Sequence, residues 1–389
     1  MNMRIPDEVL RLMKKLNEHG HECYVIGGAV RDALLQRPVH DYDLTTDALP
    51  EEMLAIFRPE YTVLPTGIKH GTVTVISNKM PVEITTYRAD GDYTDHRHPD
   101  AVTFTRSLRE DCARRDFTIN AMGCSATLEI CDFFGGQEDL KNGIIRCIGV
   151  PQDRLDEDAL RILRAIRFAA RFGFTIEAAT SAALFEKKDL LACVSRERIR
   201  SELIGLLSAP HVSYYLLTYR DIFAGFLPIE ETLAKACDMC DPDPLVRLAI
   251  LLSNTPSAEK LLRELKCSTN EIHTVLTMIT NKDMPADSRI DVRHILNQIT
   301  CAPSQYIAFR SALDPAVNKE ALTAIADTIL KDHDCISLKT LAVNGNDLKE
   351  ASISGKDIGL SLHKALQAVI NDELPNTKKA ILEWLSNSH

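Results

Sequence analysis

Asp41 and Asp43 stand one residue apart at the end of the stretch YVIGGAVRDALLQRPVHDYDL, residues 24–44. On an extended strand, side chains at i and i+2 project from one face, so the two carboxylates stand side by side and Tyr42 turns away. Hard oxygen donors at that spacing suit Mg²⁺, which keeps several waters and completes its shell with substrate phosphates. Upstream, Tyr24-Val25-Ile26 reads as a short buried strand, Gly27-Gly28 as a tight turn and residues 29–35 as a helix. Strand, Gly-Gly and helix together make a phosphate seat. Backbone N–H groups at Gly28 and the helix start face an anion, and Arg31 adds a cation. Either half alone is common; the combination brings metal and triphosphate ligands into one site.

The elements that must position these residues follow from the pattern around them. Residues 6–19 read as a helix with Pro6 in its first turn, and residues 47–57 open with Asp47, Pro50, Glu51 and Glu52 before an apolar face, all helix-start signals. Residues 71–76 and 81–88 are β-branched runs joined through Ser77-Asn78-Lys79, which predicts a hairpin. Its second strand carries Glu83, a candidate third carboxylate beside the Asp41/Asp43 strand, with an ordinary solvated strand Glu as the alternative. Residues 89–103 are polar with Gly91 and Pro99, a loop by composition; a solvated role suits its His96 and His98 better than metal binding.

Composition narrows the class. The chain has 389 residues, 45% hydrophobic and 26% charged, enough for two to four domains with a substantial core. No apolar run approaches the ~20 residues that span a bilayer, and residues 1–20 lack a signal-peptide apolar core, so a cytoplasmic protein without membrane partners is expected. The eleven cysteines are scattered, and the lone pair Cys237/Cys240 has no second pair at zinc spacing, so packed thiols are expected. A net charge of -10 excludes indiscriminate nucleic-acid binding but leaves local basic surfaces, and arginines concentrate in residues 106–171.

GGAVRD followed by DYDL resembles the head of the polymerase-beta nucleotidyltransferase superfamily, and more narrowly the class II tRNA nucleotidyltransferases and bacterial poly(A) polymerases. Residues 114–122, RRDFTINAM, match that family's motif residue for residue. The resemblance implies that Arg115 contacts the nucleotide and that Asp41 and Asp43 hold Mg²⁺, with Glu83 as a further catalytic candidate. It gives Asp132 to Leu140 a structural, hinge-like role with an Asp helix cap.

Residues 154–174, RLDEDALRILRAIRFAARFGF, read as a helical run opened by Glu157-Asp158, with Arg161, Arg164, Arg167 and Arg171 along one side and Leu160, Leu163 and Phe168 on the other. Asp158 three residues before Arg161 matches the family's EDxxR motif. By that resemblance the pair reads the base without a template. The carboxylate accepts from the exocyclic amine of cytosine or adenine while the guanidinium donates to the neighbouring ring nitrogen. Uracil and guanine would oppose a carbonyl to the carboxylate. Arg164 and Arg167 are carried over as nucleotide contacts. SRERIRSEL, residues 195–203, resembles the last neck motif, with Ser195 as a helix cap and Glu197 and Glu202 bracing arginines. Leu155 and Gln36 depart from the family's usual Phe and Gly, at the level of packing.

The expected architecture is an α/β head with a mixed sheet (1–143), then an all-α neck (144–206), body (207–335) and tail (336–389). The resemblance implies addition or repair of the 3′-terminal CCA of tRNA from CTP and ATP with release of pyrophosphate, and loop 89–103 favours the ability to add A. Open alternatives are an A-adding enzyme paired with a CC-adding partner, a poly(A) polymerase, and a catalytically silent RNA-binding protein. TGIKHG, residues 66–71, speaks against the polymerase. RLAILLSN, residues 247–254, ends in Ser253-Asn254 where some relatives need His-Asp, so no HD phosphohydrolase activity is expected. The tail resembles a tRNA-gripping domain, and the Gly-rich helix start at residues 354–359 with Lys356 is either a phosphate contact or a plain cap.

Overall fold

The computed structural model describes residues 4–65, 67–89, 103–351, 353 and 355–387. Loop residues 90–102 with His96 and His98, and the positions Thr66 and Ser354, lie outside the described residues. The chain divides into two units, Met1–Ala209 and Pro210–His389.

The first unit begins with α1 (Asp7–Glu18), β1 (Cys23–Ile26), α2 (Gly28–Leu34), β2 (Asp43–Thr46), α3 (Pro50–Phe57), β3 (Thr62–Leu64), β4 (Thr72–Ser77) and β5 (Met80–Thr86). Next come β6 (Arg88–Ala89), β7 (Thr103–Phe104), α4 (Leu108–Ala113), β8 (Met122–Cys124), β9 (Ile130–Asp132), α5 (Gly136–Asn142) and β10 (Ile144–Ile145). It closes with α6 (Pro151–Glu157), α7 (Arg161–Phe172), β11 (Thr175–Ile176), α8 (Ala178–Glu186) and α9 (Arg196–Leu207). Seven strands form one mixed sheet in the order β3-β4-β5-β2-β1-β8-β9, with β2 at its centre. The β2/β5 pair is parallel and the other pairs are antiparallel.

Local sequence explains most of these elements. Val9, Leu12, Met13 and Leu16 recur at helical spacing along α1 and are all buried, packing with Val25, Leu44, Val73, Val75 and Ile84 of the sheet and Met53 and Phe57 of α3. The hairpin β4/β5 turns at Asn78 and Lys79, φ 49° and 69°, two left-handed residues whose twist suits a two-residue connection. Pro6 sits at the N-cap of α1, one place before the first turn where it was expected. Asp47 is not the cap of α3: its carboxylate accepts from the Glu22 N–H at 2.9 Å, and Glu52 reaches back to the Leu49 N–H at 2.7 Å. The N-cap residue of α5 is Gly135 rather than Asp132; Asp132, at the end of β9, still accepts from the first N–H groups of the helix, those of Gly136 and Gln137, both at 2.9 Å.

One expectation needs correcting. Residues 154–174 are not one helical run: α6 ends at Glu157, Asp158 is extended (φ -141°, ψ 99°) and α7 starts at Arg161. The break is held by side chains. The Asp158 carboxylate accepts from the Leu160 N–H at 3.1 Å, and Leu155, Leu160 and Leu163 are buried on either side of it.

The second unit is helical throughout its described residues. Its most buried helix, Pro244–Leu252, packs against Thr269–Thr280 and Pro303–Leu313 and is capped by Asp243. Arg247 on it is 2% exposed and donates through Nε to the Cys237 carbonyl at 2.9 Å. Cys237 and Cys240 are buried beside it, and burial pushes both thiols up, as inert packed cysteines require. Residues 335–385 gather a hydrophobic cluster of their own around Leu348, Leu366, Ile370 and Ile381.

Candidate active site

The sheet sets two carboxylates side by side. Asp43, first residue of β2, is in register with Glu83 on the parallel strand β5, and both residues reach solvent. Asp41 lies just before the strand, also exposed, while Tyr42 turns away and donates to the Arg4 carbonyl at 3.0 Å. Burial of its inner part lifts the Asp43 carboxyl above the usual carboxylate range; the charges of Glu83 and Asp41 push the same way, and Arg115 partly offsets them. Asp43 thus sits between two further carboxylates and a single guanidinium, a centre short of positive charge. Among the described residues no three acidic, His or Cys side chains are drawn together closely enough to hold a metal ion by themselves.

Arg115 comes to this centre from behind the Gly-Gly turn. Gly27 has φ 73°, and a Cβ there would stand 3.1 Å from Arg115 Nη1, so only glycine both makes the turn and admits the guanidinium. Arg115 Nη2 donates to Asp111 at 3.3 Å, whereas its Nε is buried without a partner. A buried, unpaired guanidinium N–H beside a glycine turn is ready for an anion. Asp111, fully buried on α4, accepts two bonds from Arg114 (2.9 and 2.7 Å), one from the Arg88 N–H and one from the Thr45 hydroxyl of β2. Burial opposes its charge, but Arg115, Arg114 and the hydrogen bonds outweigh burial and hold the carboxyl below the usual range. The sequence reading passed over Asp111. Its signal is an acid three and four residues before two arginines on one helix turn.

Arg31 is buried rather than presented from α2. It donates to Asp32 at 2.8 Å and to Asn120 at 2.6 Å, and lies over the rings of Phe168 and Phe172 at 5.2 and 4.8 Å. Its Nη2 stays beside the turn, 3.5 Å from where a Gly28 Cβ would stand. The helix thereby ties the turn to RRDFTINAM and to α7. Asp116 does the same from the motif side: it accepts from the Phe117 N–H and Asn120, and from Arg164 at 2.9 and 2.5 Å. Burial works against that pair, and their mutual attraction outweighs it, lowering Asp116 and raising Arg164.

The structure does not bring Asp158 and Arg161 together. Arg161, 8% exposed, donates to Glu157, to the Arg154 carbonyl and to the Arg114 carbonyl, at 2.7 to 2.8 Å. The guanidinium on Asp158 is that of Arg198, on α9, at 2.9 and 3.2 Å. Glu202, one turn further along α9, pairs with Arg167, as a brace was expected to. Ser195 is the N-cap of α9 without a side-chain cap bond, and Glu197 is exposed. Elsewhere Lys356 is the N-cap residue of the helix Asp357–Ile370, without a side-chain cap bond.

Comparison with known proteins adds the following. The model for the poly A polymerase head domain matches residues 23–146, and that for tRNA nucleotidyltransferase domain 2 matches residues 245–385. The chain is 33% identical to the CCA-adding enzyme of Lactobacillus johnsonii over 401 residues, 98% of this chain and 97% of that one. It is 35% identical to that of Anoxybacillus flavithermus, covering 97% and 96%. Its fold matches the Bacillus stearothermophilus CCA-adding enzyme in complex with CTP at a TM-score of 0.85 and 30% identity, over 98% of this chain and 96% of that one.

Proposed function

The chain belongs to the family of CCA-adding enzymes, and from that premise we propose that residues 1–209 carry the whole chemistry of a template-independent tRNA nucleotidyltransferase. The reaction builds or repairs the 3′-terminal CCA of tRNA from CTP and ATP and releases pyrophosphate. The observation that carries the site assignment is the meeting of Asp43, Glu83 and Arg115 at the Gly27-Gly28 turn. By donor chemistry Asp41 and Asp43, with Glu83 in register beside them, suit a divalent ion, and Mg²⁺ by preference. Bound there, it would lower the pKa of the attacking hydroxyl and neutralise the leaving phosphates.

The remaining work falls to this chain's own groups. Arg115 and the N–H groups at Gly28 hold the triphosphate, with Arg31 at the edge of the same turn. Asp158 accepts from the exocyclic amine of cytosine or adenine. Its partner Arg161 is engaged with Glu157 and two carbonyls, so reading by the pair requires Arg161 to exchange those bonds for the base. Arg164 and Arg167, braced by Asp116 and Glu202, keep the base side of the site cationic. The 3′-hydroxyl of the RNA then attacks the α-phosphate in line.

Extension of three tRNA transcripts, ending at the discriminator base, at C and at CC, tests this directly at single-nucleotide resolution with Mg²⁺, CTP and ATP. All three should grow to CCA. Growth of the CC-ending transcript alone, by one A, would make the chain the A-adding half of a pair.

A further inference from the structure

Where α2 and α7 end lies a cationic cluster that shares Arg31 and Arg167 with the nucleotide site and adds two arginines, Arg37 and Arg171, that the nucleotide site does not use. The Phe172 ring, half-buried at the last position of α7, has three guanidiniums around it: Arg31 at 4.8 Å, Arg37 at 4.9 Å and Arg171 at 5.5 Å. Phe168 stacks parallel to it at 6.0 Å and carries Arg167 at 4.2 Å. Arg31 and Arg167 have their carboxylates, Asp32 and Glu202. Arg37 and Arg171 are exposed, and among the described residues neither has an ion-pair partner.

Several like charges held around two rings repel one another. Burial and the charges of Arg31, Arg167 and Arg37 push the Arg171 guanidinium down, with Asp32 opposing them. Cation–π attraction at exposed sites is worth only about 0.5–1 kcal/mol per contact, so it aligns the forks without removing the repulsion. A bound anion would. Planar forks of this kind match phosphate oxygens. The nucleotide's own phosphates are spoken for at the other end of α2: that helix of seven residues spans roughly 10 Å. A strand whose 3′-hydroxyl reacts beside Asp43 carries its preceding phosphates over that reach, at ~3.4 Å of rise per charge.

We propose that Arg37 and Arg171, aligned on Phe172, clamp phosphodiester groups of the RNA strand being extended. The clamp rests on the reading of the chain as a tRNA nucleotidyltransferase, but its signature is read by binding and does not need transfer.

The test uses the full chain and a tRNA transcript ending at the discriminator base. Equilibrium binding is measured across a salt series, and KM for transcript, CTP and ATP is measured in parallel. Replacing both arginines, Arg37→Gln with Arg171→Gln, should weaken transcript binding about tenfold or more and flatten the slope of log K against log salt by about 1 to 2. KM for CTP and ATP should stay within about twofold. Arg37→Lys and Arg171→Lys should recover most of the salt slope, since they keep the charge. Each single Gln substitution should give about half the change, which covers the case of an unstable double variant. An unchanged salt slope would overturn the clamp, and so would a loss expressed in KM for CTP and ATP instead of transcript. Failure of the unaltered protein to extend any transcript would strike the activity and leave the binding measurement standing.

Discussion

Asp43 is placed where its charge is a liability until something positive arrives. Its carboxyl is raised by burial, then by Glu83 and Asp41, so the folded state holds its proton more tightly than the unfolded chain does. That contribution to stability is complete below the ordinary Asp range and is lost as pH rises through the raised value. In chelator at pH 7–8, Asp43→Asn should therefore melt above the parent protein, and the gain should vanish toward pH 4. Thermal unfolding across pH checks both signs. Asp111 is the opposite case. Its carboxyl is held low by Arg115, Arg114 and hydrogen bonds against burial, so its stability is present above the ordinary Asp range and lost on acidification. Removing one partner of a buried pair leaves the other uncompensated, and Asp111→Asn should cost about 3–5 kcal/mol in denaturant unfolding and raise KM for both nucleotides. Spacing proposed Asp41 and Asp43 as a strand pair; in the fold Asp43 opens β2 beside Glu83 and Asp41 lies just before the strand. Asp111 carried a local signal in Arg114 and Arg115, but its burial and its bonds from Thr45 and the Arg88 N–H come only with the folded sheet.

The elements record which signals were local and which were not. The hairpin β4/β5 was readable from its β-branched runs, but the parallel pairing of β5 with β2, which sets Glu83 beside Asp43 and supports the proposal of a ligand over a solvated strand residue, was not. The break between α6 and α7 was not read, because helix propensity continues through residues 154–172; in the fold the Asp158 carboxylate holds the Leu160 N–H locally and pairs with Arg198, forty residues on. That break frees Asp158 from a helix face. Asp158→Asn should relax the preference for C and A over U and G while Arg198 keeps its packing; incorporation from each of the four nucleoside triphosphates reads the change. The departure of Gln36 from the usual Gly bears on backbone rather than packing: the residue sits at φ 56° after α2, where Gly would be unstrained. Gln36→Gly should stabilise by about 0.5–1 kcal/mol, the left-handed strain removed exceeding the entropy added to the unfolded chain.

At the scale of the molecule, the chain separates into a unit that holds every proposed catalytic and nucleotide-binding residue and a helical unit that holds none of them. Among the described residues no helix is long and apolar enough to cross a membrane. The proposed boundaries between head and neck near 143 and body and tail near 335 are finer than that division. The tail's separate hydrophobic cluster favours the second of them, while the Phe117 bridge to Cys147 knits head and neck together. A site assembled from five separated stretches, around residues 27, 43, 83, 115 and 158, depends on that knitting. The central claim is that nucleotide transfer occurs at the Asp43/Glu83/Arg115 centre. The most direct measurement is single-turnover addition of CTP to a discriminator-ending transcript by the Asp43→Asn full chain, with transcript binding and thermal unfolding followed on the same sample. The account predicts a loss on the order of 10³-fold or more in rate, with binding kept and the melting temperature not lowered. A rate within about tenfold of the parent would place the chemistry elsewhere.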